Sequence, residues 1–187
     1  MAVLTKGRSE LSCKDNVGGV KRLFLFGYVP YSYSQIVATP KGGELVTFPA
    51  TDMYEFETHD ARLTEDANKS DNGLSYTQTL TFTLKKQDYD TTNELTKMER
   101  FDFRYIVQLN SGQYKIGGLY KGAKLSFKTT TGGAKTDLNG YEVTIEGDEE
   151  YQAAFISDLD DFTIVRSFLY EDFINILYEN NEQILLE

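Results

Sequence analysis

Residues 74–84 read Leu-Ser-Tyr-Thr-Gln-Thr-Leu-Thr-Phe-Thr-Leu. Leu74, Tyr76, Leu80, Phe82 and Leu84 alternate with Ser75, Thr77, Thr79, Thr81 and Thr83, a period of two. Side chains on a β-strand point to opposite faces in turn, so this pattern sets one apolar face against a core and one hydroxyl-rich face toward water. Threonine, being β-branched, suits the pleated surface. The usual strand has about five or six residues, so this one is long enough to run past its own domain.

The same alternation recurs on both sides. Phe103, Tyr105, Val107 and Leu109 alternate, Asn110-Ser111-Gly112 turns, and Gln113 to Tyr120 returns, which predicts a hairpin. Strands are expected over 123–130, with Leu125 and Phe127 on one face, and over 141–147, with Tyr141, Val143 and Ile145. The loop 132–140 joins them. Upstream, Met53 to Thr58 sets Tyr54 and Phe56 against Glu55 and Glu57, and strands at 34–39 and 44–48 flank Gly42-Gly43. Val20 to Val29 reads VKRLFLFGYV and is apolar at every position from Leu23 to Phe26. That predicts a strand covered on both faces, by the core on one and by a neighbour on the other.

The polar, turn-rich stretch from Asp66 to Gly73 reads as a loop, and residues 1–19 end in an Asn16-Val17-Gly18-Gly19 turn. One helix of the main body is expected over 92–101, because Thr91 and Glu94 have capping-box spacing ahead of Leu95 and Met98. From Asp160 onward the period changes. Ile164, Val165, Phe168, Leu169, Phe173, Ile176 and Leu177 follow the spacing of an amphipathic helix, with Asp160 or Asp161 as its cap.

These patterns predict a mainly-β protein: a β domain over 1–157 with one flanking helix, then an acidic helical arm over 158–187. The 187 residues suit one domain with a sizeable core, and 13 Tyr with 12 Phe favour β-structure. Net charge is −10, unevenly spread. Residues 1–157 hold 18 cations and 21 carboxylates, whereas 158–187 hold Arg166 against eight carboxylates. Such a chain disfavours tight phosphate binding, which draws on Lys and Arg, yet suits a passage that DNA slips through without sticking. With a single cysteine, Cys13, the chain forms no internal disulfide. Its first 21 residues do not read as a signal peptide and no apolar run is long enough to span a bilayer, so folding in a cytoplasm is expected.

Catalytic and ligand-binding patterns are weak throughout. His59 is the single histidine and stands among acidic residues with no supporting motif; one Cys and one His do not build a zinc site. Asp66-Ala67-Asn68-Lys69-Ser70 looks like half a calcium loop, but Asp71 replaces the glycine and Thr77 the bidentate glutamate. Gly132-Gly133-Ala134-Lys135-Thr136 lacks the first glycine of a phosphate loop, and Asp148-Glu149-Glu150 reads as a solvated strand end. The sequence therefore predicts no enzyme, no catalytic residue, no cofactor and no metal.

Several of these segments resemble, in order and spacing, the major tail (tail-tube) proteins of bacteriophages, especially phages of Bacteroidetes hosts. They are Gly18-Gly19-Val20-Lys21-Arg22-Leu23, the strand 74–84, Tyr105-Ile106-Val107 with Asn110-Ser111-Gly112-Gln113-Tyr114, and Thr131-Gly132-Gly133 with Asp137-Leu138-Asn139-Gly140-Tyr141 and Thr144-Ile145-Glu146-Gly147-Asp148-Glu149, closing at Ala153-Ala154. The resemblance spans residues 10–157. It implies a β-sandwich or half-barrel with one flanking helix, and six copies, or a multiple of six, joining sheets into a ring. That ring would be a virion structural assembly made in the host cytoplasm, a channel for genome ejection with DNA only as passing cargo, and no membrane contact. The last thirty residues depart from the pattern: their apolar stripe either closes the chain's own β body or, in a tail adaptor or collar, forms an arm that docks on a neighbouring subunit or on an adjacent tail or head–tail connector protein. A head decoration or fibre-attachment protein is the other virion role compatible with the same strands and acidity.

Overall fold

The computed structural model of the chain describes residues 18–30, 37–38, 43–70, 73–134, 136–157, 159–160 and 162–165. Its strands are β1 (Val20–Gly27), β2 (Val37–Ala38), β3 (Glu44–Thr47), β4 (Thr51–Phe56), β5 (His59–Ser70), β6 (Gly73–Lys85), β7 (Asp102–Leu109), β8 (Tyr114–Gly117), β9 (Ala123–Thr130), β10 (Gly140–Glu149), β11 (Ala154–Ile156) and β12 (Phe162–Val165). One helix, α1 (Tyr89–Met98), interrupts them. The protein is mainly β, as the period-two segments predict. No described helix is long and apolar enough to cross a membrane.

All twelve strands join one sheet. Along one path the order is β2-β3-β11-β8-β7-β9-β10-β6-β5, while β1 lies between β7 and β4, and β12 pairs with β4. Two cores result. The first lies between β9-β10-β6-β5 and β1-β7, where Leu125, Tyr141, Val143, Ile145, Leu80 and Phe82 meet Leu23, Leu25, Phe103, Tyr105 and Val107; Leu95 and Met98 of α1 complete it. The second holds Phe24, Phe26, Phe48, Met53, Ile106, Ile116, Ala154, Ile156 and Phe162.

Chain connectivity shows how the second core closes. Only Phe48, Pro49 and Ala50 join β3 to β4, a reach of about 14 Å fully extended. Five strand spacings separate β3 from β4 through β11, β8, β7 and β1, which would take about 24 Å in a flat sheet. The sheet must therefore curl into a partial barrel, and the connecting Phe48 lies buried within it.

Four sequence expectations change. Leu23 to Phe26 are buried on both faces, but by the chain's own two cores: Leu23 and Leu25 enter the first, Phe24 and Phe26 the second. No neighbour is needed there. The stretch Asp66–Ser70, expected as loop, continues β5 in antiparallel register with β6, down to Ser70 opposite Gly73. Its residues are exposed, so the strand forms without alternating hydrophobicity because β6 supplies the ladder. Third, α1 starts before Thr91. Its cap is Asp88, whose carboxylate accepts from the Thr91 amide at 2.8 Å and the Thr91 hydroxyl at 2.9 Å. Asp is a stronger cap than Thr, and the helix moves three residues upstream with it.

The last concerns the arm. Phe162 to Val165 do not begin a helix; they form β12, parallel to β4, with Phe162 opposite Thr51 and Val165 opposite Tyr54. The Phe162 ring stacks on Phe48 at 5.2 Å and tilts against Phe26 at 5.8 Å, so tertiary packing overrides the local helical period. The rest of the predicted arm, Asp158, the candidate cap Asp161 and 166–187, lies outside the described residues, as do residues 1–17 with Cys13.

Candidate functional site

Two surfaces carry the chemistry: the outer face of β9-β10-β6-β5, and a buried polar cluster at the end of that sheet. The outer face follows from register. Glu142, Thr144, Glu146 and Asp148 of β10 stand opposite Thr83, Thr81, Thr79 and Thr77 of β6. Lys128, Ser126 and Lys124 of β9 flank the first three, and Arg62, Thr64 and Asp66 of β5 flank the last three. Opposing columns partly neutralise one another. Lys128 reaches Glu142 at 3.7 Å, and Thr77 donates to Asp148 at 2.6 Å while accepting from Asn68 at 2.8 Å. Arg62, Lys85, Lys124 and Lys128 stand against Asp66, Glu142, Glu146 and Asp148, four cations to four carboxylates. The face is hydroxyl-rich and close to neutral.

Among the described residues, both margins of this sheet are largely unpaired. Of the described strands only β6 pairs with β5, and β9 pairs with β7 only at Ala123 and Lys124 before diverging from it. Neighbours alternate in direction from β5 through β6 and β10 to β9, so β9 runs antiparallel to β5.

At the end of the same sheet, side chains on inward positions are polar. Gln78, 1% exposed, accepts from the Gly118 amide at 3.0 Å and donates to the Tyr151 carbonyl at 3.1 Å. Opposite it on β5, Glu65 pairs with Lys115 and accepts from the Ala153 amide at 3.0 Å. Glu149, at the end of β10, accepts from the amides of Tyr120 and Lys121. Tyr105 lies among them, its hydroxyl pushed well above the ordinary phenol value by burial and then by the charges of Glu65 and Glu149. Gly117 faces its ring so closely that a Cβ would stand 2.1 Å from the ring carbon bearing the hydroxyl. The sequence reading passed over this cluster, although its signal was present. Gln78 shares the inward register of Leu80 and Phe82, Glu149 that of Val143 and Ile145, and Arg104 that of Ile106.

The other sequence candidates are placed as follows. His59 opens β5 opposite Thr83. Asp66–Ser70 lies in the β5 ladder and cannot form the first half of a calcium loop. The Gly133 and Ala134 amides, which could face a phosphate, both donate at 2.8 Å to the Asp137 carboxylate, which they hold below its ordinary value. Asp148 and Glu150 lie exposed beside the buried Glu149, so this run is not a uniformly solvated strand end. Among the described residues no group of three His, Cys, Asp or Glu side chains is arranged to hold a metal ion.

No protein-family model, curated protein or solved structure matches the chain.

Proposed function

We propose that this protein is a virion structural subunit of the phage tail-tube type, assembling without catalysis into a ring around a channel for genome passage. The observation that carries the reading is the four-stranded sheet β9-β10-β6-β5, with its near-neutral hydroxyl face and, among the described residues, both margins largely unpaired. A copy rotated about an axis along the strands brings its β5 beside this β9 in antiparallel sense, and repetition closes the ring. Closure removes the exposed strand edges that would otherwise invite aggregation.

Size favours six copies. At the ordinary strand spacing and a tilt of about 40°, six four-stranded sheets enclose a barrel about 48 Å across at the backbone, and about 36 Å between side-chain tips, enough for a double helix. Four copies would leave about 20 Å, no clearance for a duplex of that width. A wall of Thr and carboxylates with its lysines matched by acids binds little phosphate, so DNA passes as cargo. The acidic segment 166–187, with Phe168, Leu169, Phe173, Ile176 and Leu177, is proposed as an arm docking on an adjacent tail or head–tail connector protein. The site of action is then the virion tail.

Light scattering and negative-stain imaging of the full chain, alone and with its tail neighbours, test this. Annular particles of six copies, or a multiple of six, are expected. Persistent monomers overturn the ring, and trimers favour a head decoration or fibre-attachment role instead.

A further inference from the structure

The turn between β8 and β9 carries the chain from the second core to the first, in five residues. Gly118 at φ 65° and Gly122 at φ 77° bend it. Side chains from four separate strands or their ends clamp it. Tyr28, just past β1, donates its hydroxyl to the Tyr120 carbonyl at 2.5 Å, and Arg104 of β7 donates Nε to the Leu119 carbonyl at 3.0 Å. Gln78 of β6 takes the Gly118 amide. Glu149 of β10 takes the Tyr120 amide at 3.0 Å and the Lys121 amide at 2.9 Å, both on Oε1.

Glu149 differs from the other three clamps. Its side chain is 1% exposed, and its second oxygen, Oε2, is buried with no hydrogen-bond partner among the described residues. A carboxylate in that position keeps its charge out of water with one oxygen unsatisfied. Three groups face it with charge or a proton: Arg104 and Tyr105 from β7, and Lys121 from the turn itself. Glu65 of β5 acts on the same Tyr105, while Gln78 on β6 is neutral. Glu150, next in the chain, lies exposed and pairs outward with Lys121 at 4.0 Å.

We propose that Glu149 is a proton-operated latch: taking up a proton on its buried oxygen tightens the β8–β9 turn against the end of β10, and losing it loosens the turn. A neutral carboxyl keeps its carbonyl oxygen on both amides, in bonds weaker than a carboxylate accepts, and removes the larger cost of a buried charge. Burial holds this carboxyl above its ordinary value of 4.5, against the lowering pull of the two amides, Lys121 and Arg104. The folded state thus binds the proton more firmly than the unfolded chain. The stabilisation is complete below about pH 4.5 and is lost as pH rises through the folded value. The latch closes in acid.

Hydrogen exchange read by mass spectrometry on the full chain tests this in whatever oligomer it forms. Protection of a peptide covering 118–122 is compared with that of a peptide from β1, each corrected for intrinsic exchange. On acidification from about pH 8 to about pH 4, the turn should gain protection by up to about tenfold for each pH unit over which Glu149 takes up its proton. In Glu149→Gln, neutral at every pH, the turn should be protected to the acid level throughout. An equal change in the β1 peptide, no gain in the turn, or a gain that persists undiminished in Glu149→Gln overturns the latch. If that variant does not fold, the wild-type comparison of the two peptides still decides.

Discussion

Replacing Phe162 by Ala tests where the folded body ends. Phe162 is 8% exposed, stacked on Phe48 at 5.2 Å with ring planes 25° apart, and tilted 57° against Phe26 at 5.8 Å. Truncating a buried phenylalanine costs about 3–5 kcal/mol in lost transfer free energy and residual cavity. That is a large part of the roughly 5–15 kcal/mol that holds an ordinary domain together. For a chain of this length it should lower Tm by about 10 °C. Thr163→Ala, one position along on the exposed side of β12, should stay within about 0.5 kcal/mol of wild type. Urea titration followed by circular dichroism suits the measurement, since the chain has no tryptophan. Two truncations extend the test. Stopping after Val165 should leave the body's transition intact, whereas stopping after Ser157 should destabilise it at least as much as Phe162→Ala. An unchanged midpoint in Phe162→Ala, or full stability in the shorter truncation, would refute the placement of β12 and return residues 158–165 to the arm.

Three further outcomes are expected. Gly140→Ala should abolish folding, as soluble yield and circular dichroism will report, because its Cβ would stand 2.0 Å from the Leu84 carbonyl oxygen; Gly133→Ala, with Asp137 at 3.7 Å, should be tolerated. Asp88→Ala should lower stability by about 1 kcal/mol in urea titration through loss of the α1 cap. The Thr91 amide and hydroxyl hold this carboxylate below its ordinary 3.8, so the cap contributes above that pH and its contribution is lost as pH falls further. On the proposed ring margin, adjacent residues of β5 aim their N–H groups to opposite sides, so one of Asp66→Pro and Ala67→Pro spares the β6 ladder. That variant should give a folded body, by circular dichroism, that no longer forms rings in negative stain; intact rings from both would exclude β5 as the joining edge.

What the sequence disclosed follows from where its side chains go. Strands with one wet face advertise themselves by alternation, so β6, β9 and β10 were legible to within a few residues; β7, buried on both faces, was legible from Phe103, Tyr105, Val107 and Leu109 and the Asn110-Ser111-Gly112 turn that follows them. The distal part of β5 was not, because Asp66–Ser70 is exposed on both sides and its pairing with Gly73–Thr77 is set by the partner strand. The β12 segment misled for the opposite reason: Ile164 and Val165 fit a helical stripe, yet Phe162 gains more by entering an aromatic cluster assembled from distant parts of the chain. The buried polar cluster depended on register. Gln78 and Glu149 each interrupt an inward apolar column, and a polar residue there can be read only once its partners, two turns from elsewhere in the chain, are in place.

The run from Leu23 to Phe26 bears most on the assembly question. An apolar strand with two covered faces can be buried by a neighbour or by its own chain, and the same four letters fit both. Here the sheet divides β1 between two cores of one molecule, so the most hydrophobic segment of the sequence has nothing left to offer a partner. Large exposed apolar side chains among the described residues are few: Leu74, Tyr89, Phe101 and Phe155. An interface built by hydrophobic faces would need more. A ring of the proposed kind needs less, because backbone hydrogen bonds along β5 and β9 supply the contact and the side chains there only set register and charge. Its stability would then depend on the length and straightness of two strand margins. A single proline on β5 is accordingly the sharper test of the ring than any substitution in the apolar core.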